Sequence, residues 1–173
     1  MKVCIVTGDI GAVSETFVQR HIVALAPENT VVMYSKGEPD ATLKAPAFKI
    51  PPPIFSHTFL PLWMLASVLR LLFRGHHNAP SRKVSRQIHT FLATHQVDVV
   101  LAEFGTIGNA LQQVIHAAGV PLFVYFRGMD ASSALRKWYE VHAYRRRIPK
   151  VEGVFCVSRY IRDRLAAQTL TCT

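Results

Sequence analysis

Two apolar runs, each passing directly into a short polar loop, constrain the fold of this chain more than any other feature. The first is DVVLAEFGT, from Asp98 to Thr106, and the second is PLFVYFRGMDAS, from Pro121 to Ser132. A stretch with helical spacing joins them, which is the strand–helix–strand order of a parallel sheet. In such a sheet the carboxyl ends of the strands open onto the crevice where ligands bind. We therefore expect the chemistry of this protein to lie in these two loops.

Short β-branched runs alternate with helical patterns along most of the chain, which predicts an α/β fold with a doubly wound, mainly parallel sheet flanked by helices. The predicted strands are 2–7, 30–34, 47–50, 98–102, 121–126 and 153–157. The predicted helices are 15–25, 61–73, 81–95 and 131–150. In the last of these, Leu135, Trp138 and Val141 are expected on one side. The basic residues toward its end, Arg145 to Arg147, are explained in part by the negative carboxyl end of a helix.

Length and charge limit the classes of protein that remain. The 173 residues predict a single domain over 1–173, and the net charge of +9 favours polyanionic partners such as nucleic acid, anionic lipid or phosphate-bearing small molecules. Cys4, Cys156 and Cys172 are widely spaced with no CxxC pattern, so we expect no metal site and a reduced, cytoplasmic compartment. The first strand is predicted to turn at Gly8, with too few apolar residues for a signal peptide.

A long apolar stretch at 59–73 is followed by basic residues, a mixture typical of helices that rest on an anionic membrane surface. The stretch is too short to span a bilayer as a helix. The predicted membrane-surface residues are Trp63, Arg70, Arg74, Arg82, Lys83 and Arg86. The equally weighted alternative is that the apolar residues pack on the sheet and the basic ones are merely solvated.

Four motifs in order carry a family resemblance that covers nearly the whole chain: VSETFVQRHI (13–22), VVLAEFGTIGNAL (99–111), VPLFVYFRGMDAS (120–132) and VFCVSRYIRDRL (154–165). Together they resemble the amino-terminal half of a family 4 glycosyltransferase of the GT-B fold, closest to the branch that builds colanic acid and other exopolysaccharides. The resemblance implies a Rossmann-like lobe that binds the acceptor. The carboxyl-terminal lobe, which would bind the nucleotide sugar, is absent from this sequence.

The resemblance also implies an activity. The whole enzyme would transfer a sugar, with retention and without a metal or other cofactor, from a nucleotide sugar to a lipid-linked saccharide at the inner face of a bacterial membrane. We expect the chain alone to be inactive. The face left by the missing lobe is expected to favour self-association.

Three residues in the two loops are the candidates for catalysis. Glu103 stands where relatives often have His, and its carboxylate could orient or deprotonate an acceptor hydroxyl. The alternative is a partly buried carboxylate paired with a neighbouring Arg, since a buried unpaired charge is costly. Arg127 replaces the His of an HGxD-like motif, so it cannot act as a base but could clamp an anionic group. Asp130 is expected to cap the next helix, and pairing with Arg127 is a further option.

The substrate-binding candidates lie at the strand ends, as the resemblance implies. They are Gly11, Ser14, Glu15, Thr16, Gly105, Thr106 and Gly128. A helix amino terminus near Ser14 would offer N–H groups to an anionic group of the substrate, although a plain helix cap explains the same residues equally well. The loop TGDIGAVSE lacks a complete GxGxxG, so no dinucleotide fingerprint is present.

Two rival functions remain from other classes. One is a non-catalytic module whose basic face binds a membrane surface or another polyanion. Nucleic acid is a less favoured ligand for this module than a membrane surface, because no RNA-binding motif or aromatic stacking platform accompanies the basic residues. The other is a nucleotide-binding enzyme complete in one domain, which the missing glycine fingerprint discourages.

Overall fold

The computed structural model describes residues 1–10, 16–25, 28–39, 43–51, 69 and 79–168. They form a six-stranded sheet in which every neighbouring pair of strands is parallel. The strands are β1 (Val3–Asp9), β2 (Thr30–Lys36), β3 (Ala47–Lys49), β4 (Val99–Ala102), β5 (Leu122–Phe126) and β6 (Gly153–Cys156). Their spatial order is β3-β2-β1-β4-β5-β6, the order of a Rossmann-like doubly wound sheet. All six predicted strands and the predicted fold class are confirmed.

Helices occupy the intervals between strands. They are α1 (Thr16–Ala24), α2 (Arg82–Thr94), α3 (Gly105–Ala117), α4 (Trp138–Arg147) and α5 (Arg159–Ala166). Ser81 and Ser158 cap α2 and α5, since each side-chain oxygen accepts the N–H three residues later, at 3.3 Å. The predicted helix at 61–73 lies outside the described residues, apart from a helical position at Leu69.

The two faces of the sheet bury alternate residues of the same strands. Val3 and Ile5 of β1 pack with α1 on one face, whereas Cys4 and Val6 belong to the larger core on the other face. That larger core takes in residues of α2 and α3, Tyr144 of α4, and two residues of α5. Side chains of a strand point alternately to opposite faces, so β-branched runs without polar interruption predict strands buried on both sides.

Two local expectations are wrong. β1 does not turn at Gly8 but continues to Asp9, which pairs with Lys36 of β2. The segment 131–150 is not one helix, because short 3-10 turns precede and follow α4. Val141 is buried, whereas Trp138, which was expected on the same side, is 72% exposed. Arg147, in the last turn of α4, is only 3% exposed. Packing against α3 decides which residues of this segment are buried.

No helix within the described ranges is both long enough and apolar enough to cross a membrane.

Candidate functional site

The point where the strand order reverses lies between β1 and β4. Residues of α1 and the residues that follow β4 and β5 surround a common position there. Glu103 comes directly after β4 and is tied to β1 by its N–H, which donates to the Val6 carbonyl at 2.9 Å. Arg127 comes directly after β5, the neighbour of β4. Helix α1, which follows β1, covers the same end of the sheet. The predicted loops therefore meet at the carboxyl end, where doubly wound folds bind ligands.

Glu103 is fully buried and uses both of its carboxylate oxygens. Oε2 accepts a hydrogen bond from Nη2 of Arg127 at 2.7 Å, and Oε1 lies 2.5 Å from Nδ1 of His21. The side chain of Glu103 has no exposed area. The alternative reading of Glu103, a carboxylate paired with a neighbouring Arg, is thus what the structure contains. A ligand cannot touch this carboxylate directly as it stands.

Aromatic rings contact the flat surface of the Arg127 guanidinium, in addition to the hydrogen bond between its Nη2 and Glu103. Its guanidinium carbon lies 3.5 Å from the ring centre of Phe17 and 4.1 Å from that of Tyr125. These are cation–π distances, and the side chain is 14% exposed. Nε is buried and has no hydrogen-bond partner among the residues that the structure describes. The guanidinium pairs with Glu103, not with Asp130.

His21 completes this group, and the sequence analysis missed it. It lies on α1 one turn after Phe17, so the two side chains share a face of the helix. Its side chain is 25% exposed, the largest exposure among the three partners His21, Glu103 and Arg127, which we call the Glu103 cluster. The i, i+4 spacing of Phe17 and His21 on the helix after the first strand is the signal that could have found it.

The geometry assigns the imidazole proton. A carboxylate only accepts, so in the neutral ring Nδ1 carries the proton donated to Glu103 and Nε2 retains its lone pair. This is the arrangement of a histidine held by a buried carboxylate, in which the other ring nitrogen can accept a proton from a bound hydroxyl. The Glu103 cluster can therefore orient and deprotonate a hydroxyl group through His21.

Asp130 is buried and collects backbone N–H groups. Its carboxylate accepts from Gly105 at 2.8 Å, Arg127 at 3.1 Å, Gly128 at 3.0 Å and Ala131 at 3.1 Å. The helix that it caps is α3, which precedes it in the chain, and not the next helix as expected. Asp130 thereby ties the β5 loop to the start of α3 and holds the backbone of Arg127 in place.

The predicted glycines differ in their surroundings. Gly105 is buried, and a Cβ at this position would overlap the ring of Phe126. Its N–H is already donated to Asp130, so this donor is not available to a substrate. Gly128 is partly exposed, with open space where a Cβ would stand. Thr106 is half-buried in the first turn of α3.

Several predicted residues are not placed by the structure. Those outside the described residues are Gly11, Ser14, Glu15, Trp63, Arg70 and Arg74. Thr16 is the first residue of α1, and nothing is described of its side chain. Arg82, Lys83 and Arg86 are exposed on the outer side of α2.

A second buried polar group lies between α3 and α4 and was also missed. Nη1 of Arg147 donates to the carbonyl of Asn109, and the Asn109 amide donates to Glu140 at 3.4 Å. The pKa of Arg147 is lowered to about 10, chiefly by burial and also by the charge of Arg146, while the charge of Glu140 opposes the shift. This group joins the two helices under the β5 loop. Tyr144 extends it, because its hydroxyl donates to the Asp130 carbonyl at 3.3 Å.

Within the part of the chain that the structure describes, no three or more His, Cys, Asp or Glu side chains lie together as a group that could hold a metal ion. The site is instead built from one acid, one guanidinium, one imidazole and two aromatic rings.

Comparison with known proteins assigns this chain to no family. No family model matches the sequence, and no curated protein matches it. A similar solved structure is a complex between a UDP-glucosyltransferase from Polygonum tinctorium, capable of glucosylating indoxyl, and 3,4-dichloroaniline. It shares 14% identity with this chain at a TM-score of 0.41, over 78% of this chain and 32% of that chain. This chain thus spans about a third of that structure's length.

Proposed function

We propose that this chain is the acceptor-binding lobe of a glycosyltransferase that acts on a saccharide, and that the Glu103 cluster is the part of the lobe that handles the acceptor hydroxyl. The observation that carries the proposal is the contact between Nδ1 of His21 and the buried carboxylate of Glu103, at 2.5 Å, at the strand-order reversal of a Rossmann-like sheet. The four motifs that resemble family 4 glycosyltransferases support the same reading.

The Glu103 cluster offers a base for the proton of the acceptor hydroxyl. The acceptor oxygen forms a bond to the anomeric carbon on the same face from which the nucleoside diphosphate departs, so the configuration is retained. The bond from that carbon to the diphosphate breaks, and the hydroxyl proton must leave. Nε2 of His21 takes this proton. The charge of Glu103 stabilises the imidazolium that results, and Arg127 stabilises the ionised carboxylate in turn.

Glu103 was expected from the sequence to contact the acceptor hydroxyl, whereas in this proposal His21 makes that contact. Glu103 is buried and acts through the imidazole, so it is a positioning residue and not a group that touches the hydroxyl. Arg127 acts through Glu103 and is therefore one residue further from the hydroxyl than Glu103 is. Asp130 holds the backbone of Arg127 and lies outside the reacting atoms.

The remaining features of the proposal come from the family resemblance. The donor is a nucleotide sugar held by a second lobe, the anomeric configuration is retained, and the acceptor is a lipid-linked saccharide of bacterial polysaccharide biosynthesis at the inner membrane. In this proposal residues 1–173 bind the acceptor but transfer no sugar on their own, because the second lobe holds the donor. Arg82, Lys83 and Arg86 on α2 are the exposed basic residues that would face such a membrane.

The test is a titration of the full chain with methyl α-D-glucopyranoside, methyl α-D-mannopyranoside and methyl β-D-galactopyranoside. The observed signals are the imidazole resonances of His21 in two-dimensional NMR. We expect at least one glycoside to shift these signals saturably and to lose its binding in His21→Ala. His116→Ala is the matched control, since His116 is an exposed residue on α3.

Two results would overturn the proposal. One is the absence of any saccharide response at His21 in the folded chain. The other is equal binding by the wild type and His21→Ala. Binding of anionic vesicles or oligonucleotides without any saccharide response would favour the non-catalytic polyanion-binding module instead.

A further inference from the structure

We infer that two copies of this chain associate through the outer edge of β6, so that the β6 strands of the two copies pair in antiparallel orientation. The surface that takes part, which we call the β6 edge, runs from Glu152 to Arg159 and includes the strand and its flanking residues. The inference goes beyond the proposed function and does not depend on it, because no residue of the Glu103 cluster belongs to the β6 edge.

The two edges of the sheet differ in how they are protected from pairing with another chain. β3 forms one edge, and its Lys49 pairs with Glu38, while Pro46 and Pro51 lie on either side of the strand. Charged side chains and prolines are the usual protection of edge strands. β6 forms the other edge, and its four residues include neither a charge nor a proline. Among the strands that the structure describes, β6 pairs with β5 alone.

Apolar side chains at the β6 edge are exposed. Phe155 and Val157 are each about half exposed, and Tyr160, at the start of α5, is more exposed still. The ring of Phe155 lies 5.8 Å from that of Phe123 and 6.0 Å from that of Tyr125, between ring centres. Parallel sheets are ordinarily covered on both faces, and neighbouring exposed apolar side chains mark an interaction surface. The β6 edge therefore offers unpaired backbone and apolar area together.

The charges at the two ends of the strand identify the partner as a second copy. Glu152 comes directly before β6, and Arg159 follows the strand at the start of α5. Both are exposed, and neither forms an ion pair within the described ranges. In antiparallel pairing the Glu152 of each copy comes next to the Arg159 of the other, whereas parallel pairing would place like charges together. Complementary charges of this kind select the orientation of a complex more than they add affinity.

Pairing centred on Phe155 also suits the side chains. The two Phe155 rings become cross-strand neighbours, and such aromatic pairs stabilise antiparallel strands. Val157 of one copy then lies opposite Gly153 of the other, a position that has no side chain. Because β6 is short, the backbone contributes few hydrogen bonds and these apolar contacts supply much of the affinity. We therefore expect a dimer that dissociates on dilution.

The test is sedimentation velocity of the full chain over a range of concentrations, at about 0.15 M salt. The Debye length of about 8 Å under these conditions screens the repulsion between two chains that each carry a net charge of +9. We expect a monomer–dimer equilibrium in the wild type. Phe155→Lys places a charge on the edge and should weaken the dimer at least about tenfold. Val23→Lys is the matched control, since Val23 is an exposed apolar residue of α1, and it should leave the dimer unchanged.

Charge reversal tests the antiparallel orientation. Glu152→Arg and Arg159→Glu should each weaken the dimer, because each brings like charges together, and the double variant should restore it. These positions are exposed, so this series decides the question even if Phe155→Lys does not fold.

Three results would overturn the inference. They are a wild type that stays monomeric up to about 1 mM, a folded Phe155→Lys that dimerises like the wild type, and a double charge variant that recovers no affinity. None of them changes the saccharide response expected at His21, so the proposed function is tested separately.

Discussion

Nη2 of Arg127 lies 2.7 Å from Oε2 of Glu103, in a pair whose carboxylate is entirely buried and whose guanidinium is 14% exposed. The two residues follow neighbouring parallel strands, so the sheet itself sets their separation. Removing one partner of such a pair leaves the other charge buried without compensation, which is far more costly than removing both.

Glu103→Ala is therefore expected to lower the free energy of unfolding by about 3–5 kcal/mol. The double variant Glu103→Leu with Arg127→Met should recover most of that loss, because it leaves no isolated charge. Urea denaturation followed by circular dichroism measures both changes. A loss below about 1 kcal/mol in Glu103→Ala would mean that the pair is open to water in solution.

Asp130→Ala removes the acceptor of several backbone N–H groups at once, including that of Gly105 at the start of α3. Hydrogen bonds to a charged group contribute about 1.5–3 kcal/mol each, so we expect a loss of about 3 kcal/mol or more. Asp163→Ala is the matched control, since the Asp163 side chain is 65% exposed, and it should change stability by no more than about 0.5 kcal/mol. Chemical denaturation of the two variants side by side provides the comparison. Similar losses in both would show that Asp130 does not organise the loop.

Gly105→Ala places a methyl group on the ring of Phe126, which is itself buried in the larger core. Overpacking of this kind costs about 1–3 kcal/mol, and we expect a corresponding fall in the midpoint of thermal unfolding. In Gly8→Ala the added Cβ would lie 3.7 Å from Ile107, an ordinary contact. That variant should stay within about 0.5 kcal/mol of the wild type, and a midpoint as low as that of Gly105→Ala would contradict the packing argument.

Stability should fall in mild alkali because of Cys4. Burial raises the pKa of this thiol far above its ordinary value, so the folded protein keeps the proton while the unfolded chain loses it. The native state then binds more protons than the unfolded state, and the free energy of unfolding decreases by up to about 1.4 kcal/mol for each pH unit above the ordinary pKa of cysteine. Below the ordinary pKa of cysteine, Cys4 is protonated in both the folded and the unfolded state, so its ionisation does not reduce the free energy of unfolding.

Urea titrations of the wild type and Cys4→Ala between about pH 8 and 10 measure this decrease. The variant should show a shallower slope. Burial also raises the pKa of Tyr144, but an unfolded tyrosine ionises mainly above this range. Cys156→Ala, at a half-buried position, is the control. Identical slopes in the wild type and Cys4→Ala would rule out the thiol as the source.

The sequence by itself determined where the strands lie and predicted a mainly parallel sheet, because apolar β-branched runs and the helical stretches between them are local properties. The spatial order of the strands came only from the tertiary structure. The sequence also located Glu103 and Arg127 at strand ends, and the cost of a buried charge predicted that Glu103 has a partner. Only packing decided the other features: that segment 131–150 breaks into shorter helices, that Trp138 is exposed, and that Arg147 is buried.

The partners of Glu103 were likewise decided by the tertiary structure. His21 and Glu103 are 82 positions apart, and they meet because β1 and β4 are neighbours at the centre of the sheet while α1 covers their carboxyl ends. No local sequence pattern predicts which charged side chains become buried together, since burial depends on the sum of contacts from distant segments. Burial strengthens the interactions between the charges of this site, and the proposed chemistry depends on those interactions.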